Sequence, residues 1–354
     1  MKLMRGFLII ILILGAIRLM IPVVALTAIN YVLKNKIEDY VGRAEDIDLA
    51  FIRGAAQLSD LHLERKDKPE TLKIDIAAMK FNFSWQDFWE KKIIANLHIE
   101  KLEVVLTELP PEKPPQPDDL TFVELRKILA ESEWSSKINK FEIRNSSVKF
   151  VVPKAKAPLS ISNIDVDIQN LHFSPDTEWQ LANVKVRGLL QGQAEINLNG
   201  KLQPLAMPPM ADLNFSLVDF DLKTLNGLLL KVLPMDITRG KLSTYIEAAS
   251  EKGYSNGYAK VFFDEIDVVA SKQKFKSGRH FLIEAGAGFG NWLLKNSKEK
   301  SVAISVPFKI KHGDVDVDKS DAFWSTITNK RDEIDRKFEN SIGFAQNRNE
   351  ILMK

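Results

Sequence analysis

The 354-residue chain contains no cysteine, which removes disulfides, thiol nucleophiles and cysteine-ligated zinc. An oxidising compartment stays open to it, because such a space permits disulfides without requiring them. Histidine is scarce. His62, His98, His172, His280 and His312 lie far apart with no H-x-H or H-x-x-x-H pair, and read as strand-surface residues rather than ligands. No charge of one sign dominates: 49 Lys and Arg against 47 Asp and Glu leave a formal charge of +2, with no electrostatic footprint for nucleic acid. A phosphate-binding glycine loop is missing as well. Gly286-Ala287-Gly288-Phe289-Gly290 places Asn291 where the third glycine of a dinucleotide fingerprint belongs, and no βαβ pattern surrounds it. Asp314, Asp316 and Asp318 alternate as on a solvated strand face and lack the glycine and later Glu of a calcium-binding EF-hand. Enzyme, metal and cofactor signatures are therefore all absent, and the expectation is a protein that binds rather than catalyses.

What is present begins with an apolar run from Phe7 to Ile29, entered through Lys2 and Arg5. Its roughly 23 residues would span about 34 Å as a helix, enough to cross a hydrocarbon core with some tilt. No A-x-A-like cleavage site ends it, so residues 1–29 read as an uncleaved signal anchor with a cytoplasmic N-terminus and the remaining body outside the cytoplasm. Arg18 stands near the middle of this span, where a charge costs roughly 2.5 to 3.5 kcal/mol. It either meets a partner in the membrane or snorkels to a headgroup layer from a helix bent near Pro22. A juxtamembrane helix is expected over residues 30–45, ending near Gly42.

Beyond the anchor, period-two alternation dominates. Ile164, Val166 and Ile168 oppose Asp165 and Asp167; Leu213, Phe215 and Leu217 oppose Asp212, Asn214 and Ser216; Val302, Ile304, Val306, Phe308 and Ile310 oppose Ala303, Ser305, Lys309 and Lys311. Each is the pattern of an antiparallel strand with one wet side. Further strands are expected at 46–52, 57–64, 72–83, 93–106, 137–152, 184–190, 194–199, 236–249 and 258–270. Several are long and change phase midway, as in Leu72, Ile74, Ile76 followed by Met79, Phe81, Phe83, which points to bulges or bends. Ile143-x-x-Ser146-x-Val148 and Ile237-x-x-Gly240-x-Leu242 form a weak internal echo.

Helices interrupt the strands at three places. A Pro-rich loop at 109–118 leads into a helix over Asp119–Glu131, and a second helix covers Asp221–Leu233. The third is an amphipathic helix from Ser320 to about Asn340, opening a C-terminal region of 320–354. Its stripe of Trp324, Ile327, Ile334, Phe338 and Ile342 is a candidate surface, with Arg18, for a membrane or partner.

An anchor followed by Ile47-Asp48-Leu49 and then Gly54-Ala55-Ala56-Gln57-Leu58-Ser59-Asp60-Leu61-His62-Leu63 resembles the opening strands of the AsmA-like family of bacterial envelope proteins, including its branch known only as a domain of unknown function. Asn197-Leu198-Asn199-Gly200-Lys201-Leu202-Gln203-Pro204, then Asp219-Phe220-Asp221-Leu222 and Ile237-Thr238-Arg239-Gly240-Lys241-Leu242, are similar to that family's repeated sheet motif. The resemblance implies a mainly β fold in which a long curved antiparallel sheet forms an open groove over residues 46–319. It also implies kinship with bridge-like lipid-transfer proteins and lipid handling between the inner and outer membranes of a Gram-negative cell. A body of this size makes one groove segment, too short to bridge a periplasm alone.

The functional expectation is a single-pass inner-membrane protein whose periplasmic groove binds phospholipid acyl chains, without a cofactor and without nucleic acid, in the company of other envelope proteins. The candidate lining is Ile164, Val166, Ile168, Leu213, Phe215, Leu217, Val302, Ile304, Val306 and Phe308. The alternative is an anchored, non-enzymatic scaffold whose strands close on each other as a dry β-sandwich.

Overall fold

Long alternating segments have one face that water rejects, and pairing them edge to edge satisfies the backbone while gathering those faces together. The computed structural model describes residues 2–37, 39–107, 135–151, 158–173, 180–204, 206, 209–226, 235–251, 253–270, 301–311, 314–316 and 334–344. Within them the chain forms a helix, α1 (Lys2–Asn35), and a single 14-stranded sheet. The strands are β1 (Tyr40–Arg43), β2 (Asp46–Ala50), β3 (Ala55–Arg65), β4 (Leu72–Phe83), β5 (Lys92–Leu106), β6 (Ser135–Phe150), β7 (Leu159–His172), β8 (Ala182–Leu190), β9 (Ala194–Gln203), β10 (Met210–Asp221), β11 (Met235–Glu251), β12 (Tyr254–Ala270), β13 (Ser301–Lys311) and β14 (Asp314–Asp316). A 3-10 turn at Phe51–Arg53 joins β2 to β3, and a short helix, α2 (Trp85–Trp89), joins β4 to β5.

From β3 to β14 each strand pairs with the next in sequence, while β1 and β2 both pair with β3 and form the first edge end to end. The sheet stays open, since among the described residues no pairing joins this edge to β14. One pairing departs from the antiparallel expectation: β5 and β6 run parallel. Alternation reports faces and is blind to direction, so nothing in the pattern distinguishes the two.

The expected helix over 30–45 is corrected on two counts. α1 continues unbroken through Pro22 to Asn35, and Tyr40–Arg43 is strand, paired with His62–Arg65 of β3. The break between β1 and β2 is clasped by Asn30, whose side chain accepts the Ala44 N–H at 2.7 Å and donates to the Ala44 carbonyl at 3.0 Å. Leu26 and Leu33 of α1 pack against buried Ala44, Leu61, Ile76 and Ile99. Among described side chains, which in α1 begin at Arg18, no helical stretch is by itself long and apolar enough to cross a membrane.

The phase changes in β3, β5, β6 and β7 have a common cause, and the one in β4 follows the register of its two neighbours. Leu58 and Leu61, Ile76 and Met79, and Ile99 and Leu102 are each three apart, yet all join one apolar cluster. Asp60 (φ 49°) and Lys101 (φ 52°) stand inside the first and last pairs, and Asn145 (φ 53°) and Asn163 (φ 51°) mark the same turnover in β6 and β7. A left-handed residue inverts the alternation without ending the strand. The internal echo falls on such sites. Ser146 lies at a register shift of β6 and accepts the Leu102 N–H at 2.9 Å; Gly240 (φ 147°) lies at one of β11, where Ser243 accepts the Asp219 N–H at 3.0 Å.

Of the other expected helices, 119–131 and the loop 109–118 lie outside the described residues. The helix over Asp221–Leu233 is a 3-10 turn at Leu222–Leu225, with residues 227–233 outside the description.

Candidate functional site

Cross-strand partners project from the same face, so the register decides which side chains share a surface. One row runs Ile47, Leu58, Met79, Ile99, Ile143, Val166, Val186, Leu198, Phe215, Ile246, Ala259 and Val306, each opposite the next, from β2 to β13. Every member is apolar. At about 4.8 Å per strand the row is about 53 Å long. A second row on that face runs Ala56, Phe81, Leu97, Phe141, Ile168, Val184, Gly200, Leu213, Ala248, Gly257 and Phe308. The register neighbours on the opposite face are polar: Gln57, Lys80, His98, Glu142, Asp167, Lys185, Asn199, Asn214 and Glu247. The sheet is amphipathic from β3 to β11.

The apolar face is not sealed by the described residues. In the first row only Ile47 and Ile99 are buried; the rest are partly exposed. A sandwich interior of these side chains would bury nearly all of them. Glycine serves close packing at two points on the floor. A Cβ on Gly257 would stand 2.4 Å from the Phe308 ring, and one on Gly200 (φ 153°) would stand 2.0 Å from the Asp212 carbonyl oxygen.

The expected lining residues fall as follows. Val166, Phe215 and Val306 belong to the first row; Ile168, Leu213 and Phe308 belong to the second. Leu217 pairs with Ile196, which pairs with Gly188, and Ile164 packs where a Gly188 Cβ would point, so both lie on this face too. Ile304 and Val302 hold the register positions opposite Val261 and Phe263 of β12. The far larger part of the floor, Leu58, Met79, Ile99, Ile143, Val186, Leu198 and Ile246 included, was visible as alternation but assignable to a common face only through the register.

Arg18 lines a cavity of about 690 Å³ between α1 and the first edge, with Ile21, Pro22 and the stretch Asp48 to Arg53. It therefore sits level with the end of β2. Beside it, Phe51, Phe83, Trp85, Phe88 and Trp89 form a chain of tilted and edge-on ring contacts, centred on Trp85, whose indole donates to the Phe51 carbonyl at 2.7 Å.

The C-terminal expectation is corrected. Residues 334–343 are not helical, and Ile334, Phe338 and Ile342 lie on a strap over the polar face of β11 and β12; Trp324 and Ile327 lie outside the described residues. The backbone donors that a helix would use internally go elsewhere. Tyr258 Oη accepts the Glu339 N–H at 2.7 Å, and the carboxylate of Glu247 accepts those of Asn340, Ser341 and Ile342 at 2.7, 3.1 and 3.3 Å. Lys260, 2% exposed, pairs with Glu339 at 2.8 Å, and Arg336 grips Asp264 through both oxygens while lying over the Phe262 ring. Burial, with a hydrogen bond to Glu247, pushes the Tyr258 hydroxyl well above its ordinary value. Alternation alone reads Tyr245, Glu247, Tyr258 and Lys260 as a wet face.

The histidines described sit among carboxylates or at a rim. Asp75, 2.5 Å away, and then Glu64 raise the pKa of His62, whereas burial lowers that of His172. His98 lies 3.1 Å from Glu100; His280 and His312 are outside the description. Asp314 and Asp316 stand opposite Lys311 and Lys309 in the ladder, and Asp318 and the 286–291 segment are not described. No group of three or more metal-ligating side chains occurs among the described residues.

No known family model matches this sequence, and no curated protein matches it. The case for function rests on the sheet itself.

Proposed function

We propose that the chain is an AsmA-like, membrane-anchored protein whose open β-groove carries phospholipid acyl chains, contributing to lipid transport or homeostasis between the two membranes of a Gram-negative envelope. The observation that carries this reading is the partly exposed apolar row from Ile47 to Val306. Its length of about 53 Å exceeds the roughly 15 Å of hydrocarbon in one leaflet. α1 supports the anchor: its 34 residues would reach about 51 Å, and its Leu26 and Leu33 join the same apolar cluster as the groove floor. That contact supports an anchor joined to the groove through apolar surface.

No catalytic residue is required. An acyl chain leaving a bilayer forfeits about 0.8 kcal/mol per methylene unless apolar surface replaces its surroundings, and the rows of Val, Ile, Leu and Phe supply that surface. The headgroup remains in water at the open rim, so selectivity for it is low. Lys2 and Arg5 ahead of the apolar run support inner-membrane anchorage with a periplasmic body, against the opposing Lys34, Lys36 and Arg43 beyond it.

The test is binding of a phospholipid bearing a fluorescent acyl chain to the full chain and to Phe215→Asp. Loss of binding in that variant, with an unchanged circular dichroism spectrum and with Asn199→Asp binding normally, is expected. A folded Phe215→Asp protein that binds as tightly as the parent contradicts the reading.

A further inference from the structure

Three features stand apart from the groove: the strap over β11 and β12, the His62 carboxylate cluster, and the aromatic tip where β2, β3, β4 and β5 turn. The tip is the one that points outward. Ile52 is 86% exposed, Trp89 79% and Phe51 65%, whereas at the strap Phe262 and Phe338 both lie in ring contact with Tyr245. Exposed apolar surface of this size, beside Trp residues with a polar edge, is characteristic of contact with a membrane interface.

Its position relative to α1 gives the occupant. Passing from Asn35 toward the N-terminus, Asn30 meets Ala44, then Ile21, Pro22 and Arg18 meet Asp48 to Arg53. The helix thus runs beside the first edge toward the tip, and its residues 2–17 continue beyond it. A hydrocarbon core takes about 20 helical residues, so counting from Arg5 places the far boundary near residue 25. The tip, level with Arg18 to Pro22, then lies about 5–10 Å inside that boundary, the depth reached by interfacial amphipathic segments. On this side of the boundary Leu19, Met20, Val23 and Val24 are exposed.

From this we infer that the Phe51–Arg53 turn and α2 are immersed in the leaflet from which the body emerges, so that the first edge of the groove opens among acyl chains. The occupant of this surface is a phospholipid bilayer. Arg18 is then away from the bilayer centre, lining the cavity it shares with Asp48 and Arg53 at the depth of the tip. Arg53 and Lys92 flank the rings on stems long enough to reach the headgroups. The inference rests on α1 spanning the membrane.

The absence of cysteine makes every introduced one unique. Full-length Ile52→Cys, Trp89→Cys, Leu19→Cys and Asn199→Cys, each carrying a nitroxide, are reconstituted into vesicles of phosphatidylethanolamine and phosphatidylglycerol, and collision with oxygen is compared with collision with a water-soluble nickel complex. Positions 19, 52 and 89 are expected to favour oxygen, and position 199 nickel. Nickel accessibility at 52 and 89 with oxygen preference at 19 overturns the immersed tip and leaves the anchor standing. Nickel accessibility at 19 as well overturns both.

Discussion

The carboxylate of Glu247, buried in β11, accepts the backbone N–H of Asn340 at 2.7 Å across 93 residues of sequence. Two further strap N–H groups converge on the same side chain, so a single carboxylate replaces the hydrogen bonds that a helix would have made. Hydrogen bonds to a charged group contribute about 1.5–3 kcal/mol each and are not additive. Glu247→Ala should weaken strap docking by about 3 kcal/mol. Accelerated proteolysis within 334–344, with the sheet's urea transition moved less, is the expected result.

The Gly200 position predicts a contrast. A Cβ there collides with the Asp212 backbone, whereas at Gly192 (φ 69°), in the β8–β9 turn, a Cβ meets nothing within 4 Å. Gly200→Ala should cost more than about 2 kcal/mol, and Gly192→Ala about 1 kcal/mol of left-handed strain alone. Chemical denaturation of the two variants side by side checks the order.

His62 predicts a pH dependence of defined sign. Its pKa is raised in the folded state by Asp75, chiefly through their hydrogen bond, so the stabilisation is fully present below the unfolded value of about 6.5 and is lost as pH rises through the higher folded value. In His62→Gln that loss should vanish from the pH profile of thermal unfolding. The pair is largely exposed, so the effect is small and falls further in salt.

Much of this architecture is legible in the sequence because alternation has one physical cause. Strands expected at 72–83, 93–106 and 258–270 form at 72–83, 92–106 and 254–270, and the phase change within 72–83 marks a real turnover of faces. What local patterning cannot carry is relation between distant segments. The parallel β5–β6 pair, the Asn30 clasp on Ala44 and the strap on Glu247 each join residues whose partners are chosen by the tertiary fold. Ile334, Phe338 and Ile342 carry helical spacing, yet the N–H groups of Asn340, Ser341 and Ile342 find a better acceptor in a buried carboxylate. Tyr40–Arg43 read as helix because four residues beside a helix end offer no period to count, and only the edge of β3 makes them strand.

The most direct test of the acyl-chain groove uses two neighbours in β8. Val186 lies in the apolar row and Lys185, one residue earlier, is exposed on the polar face. A photo-crosslinking amino acid is placed at each position of the full chain in cells whose phospholipids carry radioactive phosphate. Label transferred to the protein from position 186 and not from 185 is the predicted result. Equal labelling at both, or none at 186 in a folded protein, would contradict the groove.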